Sequence, residues 1–210
     1  MGLNNNQIQS KTYIKIKAGK FITKSYNQEI EYNSFSGFLR KIELFDGTIN
    51  FNNNDVKVKI WNVYFEDNGT YIWSVDYNSH LFLDFLNSIY DISDFSEAIE
   101  IQPFFHNNRN KINVFYKNNR LKWHYNYDDL PKIEPVIVDG TPIINQNGFQ
   151  VFDYTKRSAF VEKMVEEILQ KIPKNDSLAT IKNNYIDNSD ISFNPDDFNE
   201  VESEEDKIPF

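Results

Sequence analysis

Cysteine is absent from the 210 residues, which removes disulfide scaffolds, thiolate metal sites and cysteine nucleophiles together. Glycine and alanine are scarce, at 7 and 4, while Asn and Ile reach 28 and 24, the usage that AT-rich codons produce and one that says nothing about activity. No uncharged run approaches the roughly 20 residues of a membrane span, and the Asn/Gln-rich stretch from Met1 to Lys11 lacks the apolar core of a signal peptide. Gly2 does not make a myristoylation signal, because position 6 is Asn6 where Ser or Thr is required. The histidines, His80, His106 and His124, lie far apart without metal-ligand spacing, and neither a G-x-S-x-G motif nor a Gly-rich phosphate loop occurs. The acidic pairs Asp128-Asp129 and Asp196-Asp197 fall beside a turn and in an acidic tail, which is poor material for a magnesium site. We therefore expect no enzymatic activity, no cofactor, no metal and no membrane association.

What is present is a 40% hydrophobic, 16% aromatic chain, enough to fill a sizeable core in one domain with an appendage. Its formal charge of -9 argues at first against nucleic acid. The charge is segregated, however. Residues 173–210 hold ten acids and three bases, net -7, so residues 1–172 carry 19 bases against 21 acids, net -2. Within that body the bases are grouped. Lys11, Lys15, Lys17, Lys20 and Lys24 precede the first acid, Glu29, and a second acid-free run from Gln102 to Asn126 contains Arg109, Lys111, Lys117, Arg120 and Lys122. Either cluster alone reads as a solvated face; two clusters interleaved with aromatics point to an anionic ligand.

The body reads mainly as β-structure. Thr12–Lys17, Lys20–Tyr26, Phe38–Phe45, Val56–Phe65, Thr70–Tyr77, Ile99–Phe105, Lys111–Lys117 and Leu121–Tyr127 are rich in β-branched and aromatic residues, with Gly, Asn and Asp between them. Many short strands separated by turns predict an antiparallel barrel or sandwich, with a hairpin turn at Asn118-Asn119. Two helices are expected. One spans Ser79 to Tyr90, with Leu81, Phe82, Phe85, Leu86 and Ile89 at helical spacing and Ser79 as N-cap. The other runs from after Asp153 to about Ile172, with Phe160, Val161, Met164, Val165, Ile168 and Leu169 on one face, and Pro173 stops it. Residues 128–152 read as a long irregular connection. Residues 1–10 and 173–210 are expected to be disordered, the latter because scattered apolar side chains cannot offset ordering entropy.

Strand alternation places Tyr13, Lys15 and Lys17 on one side of the first strand, and Lys57, Lys59 and Trp61 on one side of another. Lys111, Phe115 and Lys117 share a face in the next, with Arg120, Lys122 and His124 on one face of its hairpin partner. Lysines that neutralise phosphates beside rings that stack on bases suit a single strand of nucleic acid, each stacked base contributing roughly 1–3 kcal/mol. The same rings, Trp61 and Phe115 among them, fit a core covered by lysine stems equally well.

The chain closes Asp196-Asp197-Phe198, then Glu204-Glu205-Asp206-Lys207-Ile208-Pro209-Phe210. Over about these last nine residues it resembles the C-terminal tip of bacterial single-stranded-DNA-binding proteins, an acidic stretch ending in an apolar residue, Pro and Phe. Phage single-stranded-DNA-binding proteins carry similar tails. Lys207 departs from that pattern by placing a cation among the acids. The resemblance implies an OB-fold-like antiparallel barrel over residues 11–172 with added helices, binding single-stranded DNA without sequence specificity. It also implies that Glu204, Glu205, Asp206, Ile208, Pro209 and Phe210 recruit replication, recombination and repair proteins. The protein would then work in the cytoplasm of a bacterial cell or an infected host cell, with a homo-oligomer left open. A strand-annealing or recombination mediator, and a β-sandwich carbohydrate-binding or virion structural module, are the rival readings.

Overall fold

A computed structural model describes residues 11–25, 28–51, 54–145 and 148–173. The expected disorder of residues 1–10 and of the tail from 174, together with the partner-binding residues Glu204, Glu205, Asp206, Ile208, Pro209 and Phe210, lies outside the described residues. The chain begins with strands Lys11–Lys17 (β1), Lys20–Ser25 (β2) and Gln28–Tyr32 (β3), then Phe35–Phe51 (β4), Asn54–Glu66 (β5) and Thr70–Asp76 (β6). Helix α1, His80–Ile89, precedes Ile99–His106 (β7), Arg109–Tyr116 (β8) and the short Asn119–Arg120 (β9). After a 3₁₀ turn come Glu134–Pro135 (β10), Ile137–Val138 (β11), Thr141–Pro142 (β12), Phe152–Asp153 (β13) and helix α2, Thr155–Leu169.

The first nine strands form one curled, half-barrel sheet in the order β3-β2-β1-β6-β5-β4-β7-β8-β9. Within it β7-β4-β5-β6 has the spatial order of a Greek key, in which the fourth strand returns beside the first. The sheet is not purely antiparallel as expected. β1 runs parallel to β6, from Lys11 beside Thr70 to Ile14 beside Trp73, because the N-terminal meander adds its first strand to the edge that β6 would otherwise leave open.

Four two-residue turns carry both residues in the left-handed region: Ala18–Gly19, Asn107–Asn108, Lys117–Asn118 and Asp139–Gly140. That geometry matches the twist of the flanking strands, and Asn, Asp and Gly tolerate it best. The hairpin expected at Asn118-Asn119 thus forms one residue earlier.

Alternation decides which face is core. Leu39, Ile42, Trp61, Val63, Phe65, Trp73 and Val75 point to the face covered by α1 and α2, where Phe82, Phe85, Leu86, Met164 and Ile168 meet them. Phe35 sits edge-on against Phe65 and Phe21, with centroids at 5.2 and 5.9 Å, contacts worth about 0.5–1.5 kcal/mol each. Both predicted helices form. Ser79 stands at the N-cap of α1 without a side-chain cap bond, and Leu169 of α2 stays 37% exposed although its helical position suggested burial.

Three local expectations are corrected. Gln28–Tyr32 is a strand, paired to β2 along its length. Residues 128–152 are not featureless: β10 pairs β13 and β11 pairs β12 in two small sheets. Leu121–Tyr127 is not a strand. The β8–β9 ladder ends at Arg120 and a last bond from Leu121 N to Val114 O, because the buried amide of Asn87 on α1 captures the segment instead. Asn87 Nδ2 donates to Tyr125 O at 3.0 Å and Asn87 Oδ1 accepts from Tyr125 N at 2.8 Å. His124 N donates to Asn87 O at 3.1 Å.

Candidate nucleic-acid interface

The side of β5 that alternation marks as basic and aromatic is the core side. Trp61 lies beside Leu44 and Val75 in the sheet register, 4% exposed, its ring stacked 5.1 Å from Phe82 and 6.0 Å from Tyr77. A base has no access to it, so Trp61 is removed from the candidate stacking residues. Lys59 leaves the same side by laying its ammonium over the Tyr77 ring at 3.7 Å and pairing with Glu162 of α2, also at 3.7 Å. Contact with Tyr77 first, then the Glu162 and Asp46 charges, hold its pKa above the ordinary value against desolvation. Its charge is answered within the fold. Lys57 is exposed farther along the same strand.

On β1 the predicted trio is oriented as expected, away from the buried Ile14. Tyr13 is exposed, and partial burial raises its pKa. Lys15 pairs with Glu29 of β3 at 3.7 Å. Across β6 stands Tyr64, whose hydroxyl donates to Glu43 Oε2 at 3.0 Å; burial first and the Glu43 charge second push its pKa up. Glu43 also pairs with Lys41 at 2.8 Å. This outer face is therefore of mixed charge.

At the end of β1 two acid-free segments meet. The Ala18–Gly19 turn, with Lys17 and Lys20 paired across it, is seated against the β7–β8 hairpin. Gly19 N donates to Asn110 Oδ1 at 2.8 Å in a buried bond between residues 91 apart. The approach is close enough that a Cβ on Gly19 would stand 2.6 Å from Phe105 N, so only glycine fits. Beside it Phe104 and Phe105 are 38% and 53% exposed, and the register sets Lys111 opposite Phe104 and Arg109 opposite His106. Neither segment contributes an acid, since residues 11–28 and 102–126 contain none. The two basic segments of the sequence thus meet at this turn.

From this junction β8 leads onward. Lys111 and Phe115 share the side opposite the core residue Val114, and Phe115 pairs with Arg120 of β9. Lys111 shares its charge with Asp84 of α1, whose carboxyl burial pushes up to about 6 while Lys111 and His80 pull it back. Lys117 occupies the turn rather than the shared face, its ammonium 5.3 Å over the Tyr116 ring. Lys122 and His124 lie beyond the ladder. His124 is a fastening residue: Nδ1 contacts Asp91 Oδ1 at 2.6 Å and the ring packs on Tyr90 at 4.6 Å. It is removed from the candidate contacts.

Phe104, Phe105, Lys20, Arg109 and Trp123 escaped the strand-pattern reading. For the phenylalanines a signal existed, since two adjacent rings in a strand point to opposite sides and cannot both enter one core. For Trp123 none did, because alternation fails where the segment leaves the sheet. Among the described residues no three His, Asp or Glu side chains cluster as metal ligands, and no helix is long and apolar enough to cross a membrane. No protein-family model, curated protein or solved structure matches the chain.

Proposed function

We propose that this chain binds single-stranded DNA without sequence specificity, along a band from the Gly19–Phe105 junction over Lys111 and Phe115 of β8 and Arg120 of β9. The carrying observation is the buried bond from Gly19 N to Asn110 Oδ1, which joins two acid-free basic segments around exposed Phe104 and Phe105. Cations that track a backbone beside rings that accept bases are what a single strand needs. The Greek-key order β7-β4-β5-β6 with β8 as a fifth strand supports an OB-type barrel, a partly open five-stranded design that serves such ligands. The acidic segment with Glu204, Glu205, Asp206, Ile208, Pro209 and Phe210 recruits replication, recombination and repair proteins, its charge favouring basic partners.

A salt titration of oligothymidylate binding tests this reading. Log affinity falls against log salt with a slope of about -0.7 per phosphate neutralised, and Lys17→Glu with Lys20→Glu reduces that slope by about 1.4. Absent or salt-insensitive binding by the unaltered protein overturns it.

A further inference from the structure

The far end of β8, roughly 23 Å from the Gly19 junction at about 3.3 Å per residue, holds a cavity that the strand pattern does not reveal. It has a volume of about 320 Å³, with Trp123, Tyr116, Ile92 and Leu121 as apolar wall and Lys117 and Lys122 as cations. The chain has three tryptophans. Trp61 and Trp73 are 4% and 1% exposed, whereas Trp123 is 43% exposed. Its mounting is nevertheless fixed: Leu121 is bonded to Val114, His124 to Asn87 and Asp91, and Tyr125 to both ends of the Asn87 amide. A wide apolar ring held open to water on a hydrogen-bonded platform keeps its face ready for a flat ligand at little ordering cost. Lys117 and Lys122 at the same cavity offer charge-assisted hydrogen bonds to an anionic group. Asp91 and Asp94 also line the cavity; Asp91 contacts His124 at 2.6 Å, and Asp94 Oδ2 accepts from Ser96 Oγ at 2.7 Å, so both carboxylates are held toward protein donors. The volume is near the lower end of small-ligand clefts, about 300–1,000 Å³, which suits one nucleotide unit and excludes a run of strand.

We infer that this cavity is a nucleotide pocket in which one base of the bound strand stacks on Trp123 and its phosphate lies between Lys117 and Lys122. The inference rests on the single-strand reading above and places a second, specific anchor at the opposite end of β8 from the Gly19 junction. It also fixes the origin of any optical signal, because Trp61 and Trp73 are shielded from a base.

The test follows tryptophan emission and the anisotropy of an end-labelled oligothymidylate in parallel on the full chain. Binding dims the emission of the unaltered protein. In Trp123→Phe the strand still binds and the remaining emission does not respond. In Trp123→Ala, affinity drops about 5- to 150-fold, the loss of one stacked base. Lys117→Gln with Lys122→Gln, which leaves the ring in place, weakens binding and lowers the salt slope by about 0.7, the share of the one phosphate held there. Binding seen by anisotropy without dimming, or dimming that persists in Trp123→Phe, overturns the pocket and leaves the single-strand reading standing. No binding in either channel overturns both.

Discussion

Replacing Trp61 by Ala separates a core residue from a ligand contact. The indole is 4% exposed and stacked between Phe82 and Tyr77, so truncation leaves a cavity that the sheet and α1 close only partly. Such changes cost about 3–5 kcal/mol. One term opposes this. Trp61 Nε1 is buried without a hydrogen-bond partner, and removing an unsatisfied donor returns about 1–3 kcal/mol. The expected net loss is about 2 kcal/mol, between limits of about 0 and 4 kcal/mol. Urea unfolding followed by circular dichroism reads it as a midpoint lowered by about 1 M, for a slope of about 2 kcal/mol/M that the substitution leaves unchanged. Trp61→Phe keeps a ring against Phe82 and removes the orphan donor, so its stability stays within about 1 kcal/mol of the unaltered protein. Below the unfolding transition both variants bind oligothymidylate with unchanged affinity. If Trp61→Ala keeps its midpoint and loses tenfold or more in affinity, the indole faces the ligand and the core assignment fails.

Gly19→Ala forces a methyl to 2.6 Å from Phe105 N at a φ of +75, so the turn lifts off β7; a thermal melt shows a lowered midpoint and a titration shows weaker oligonucleotide binding, while an unchanged protein refutes the junction. Asn87→Ala deletes both bonds to Tyr125, costing about 1–3 kcal/mol, and frees Trp123, so emission dimming shrinks more than affinity does. Asp84 has a carboxyl pKa raised by burial from 3.8 to about 6, so the folded state holds the proton more tightly than the unfolded chain. Its contribution is therefore fully present below pH ~4 and is lost as pH rises to about 6. Asp84→Asn removes that decline and is more stable than the unaltered protein at pH 7, by at most about 3 kcal/mol; equal stability across pH 4–7 in urea titrations contradicts it. Deleting residues 202–210 leaves oligonucleotide affinity equal or higher and abolishes capture of replication proteins; weaker DNA binding rejects the recruiting role.

Seven of the eight expected strands and both helices were legible because period-2 and period-3.6 patterns follow directly from which side chains a sheet or helix must bury. The side of β5 was not. Val56, Val58, Ile60 and Tyr64 alternate against Lys57, Lys59 and Trp61, and the apolar set looks like the inward one. The structure sends Trp61 inward, in line with Val63 and Phe65, and leaves Val58, Ile60 and Tyr64 half-buried on the other side. An indole beside Phe82 buries more apolar area than a valine row, and the Lys59 stem can run out to Glu162. The failure at Leu121–Tyr127 has a similar root. Local propensity favours a strand there, but one buried amide on α1, 38 residues away from Tyr125, offers its backbone two bonds that no strand partner supplies. Such long-range capture leaves no trace in a local window.

The candidate interface was half legible for the same reason. Composition located both basic segments, because charge segregation is a one-dimensional property. Their meeting is not: it depends on Gly19 having no side chain and on Asn110 accepting its N–H, single atoms 91 residues apart. With Lys15 answered by Glu29, Lys59 by Glu162 and Lys41 by Glu43, several lysines of the body are neutralised where they stand. Counting lysines therefore overstates the positive field. On the single-strand reading proposed above, a strand of phosphates is drawn to where the two acid-free segments meet, at the seam between the β1–β2 turn and the β7–β8 tip.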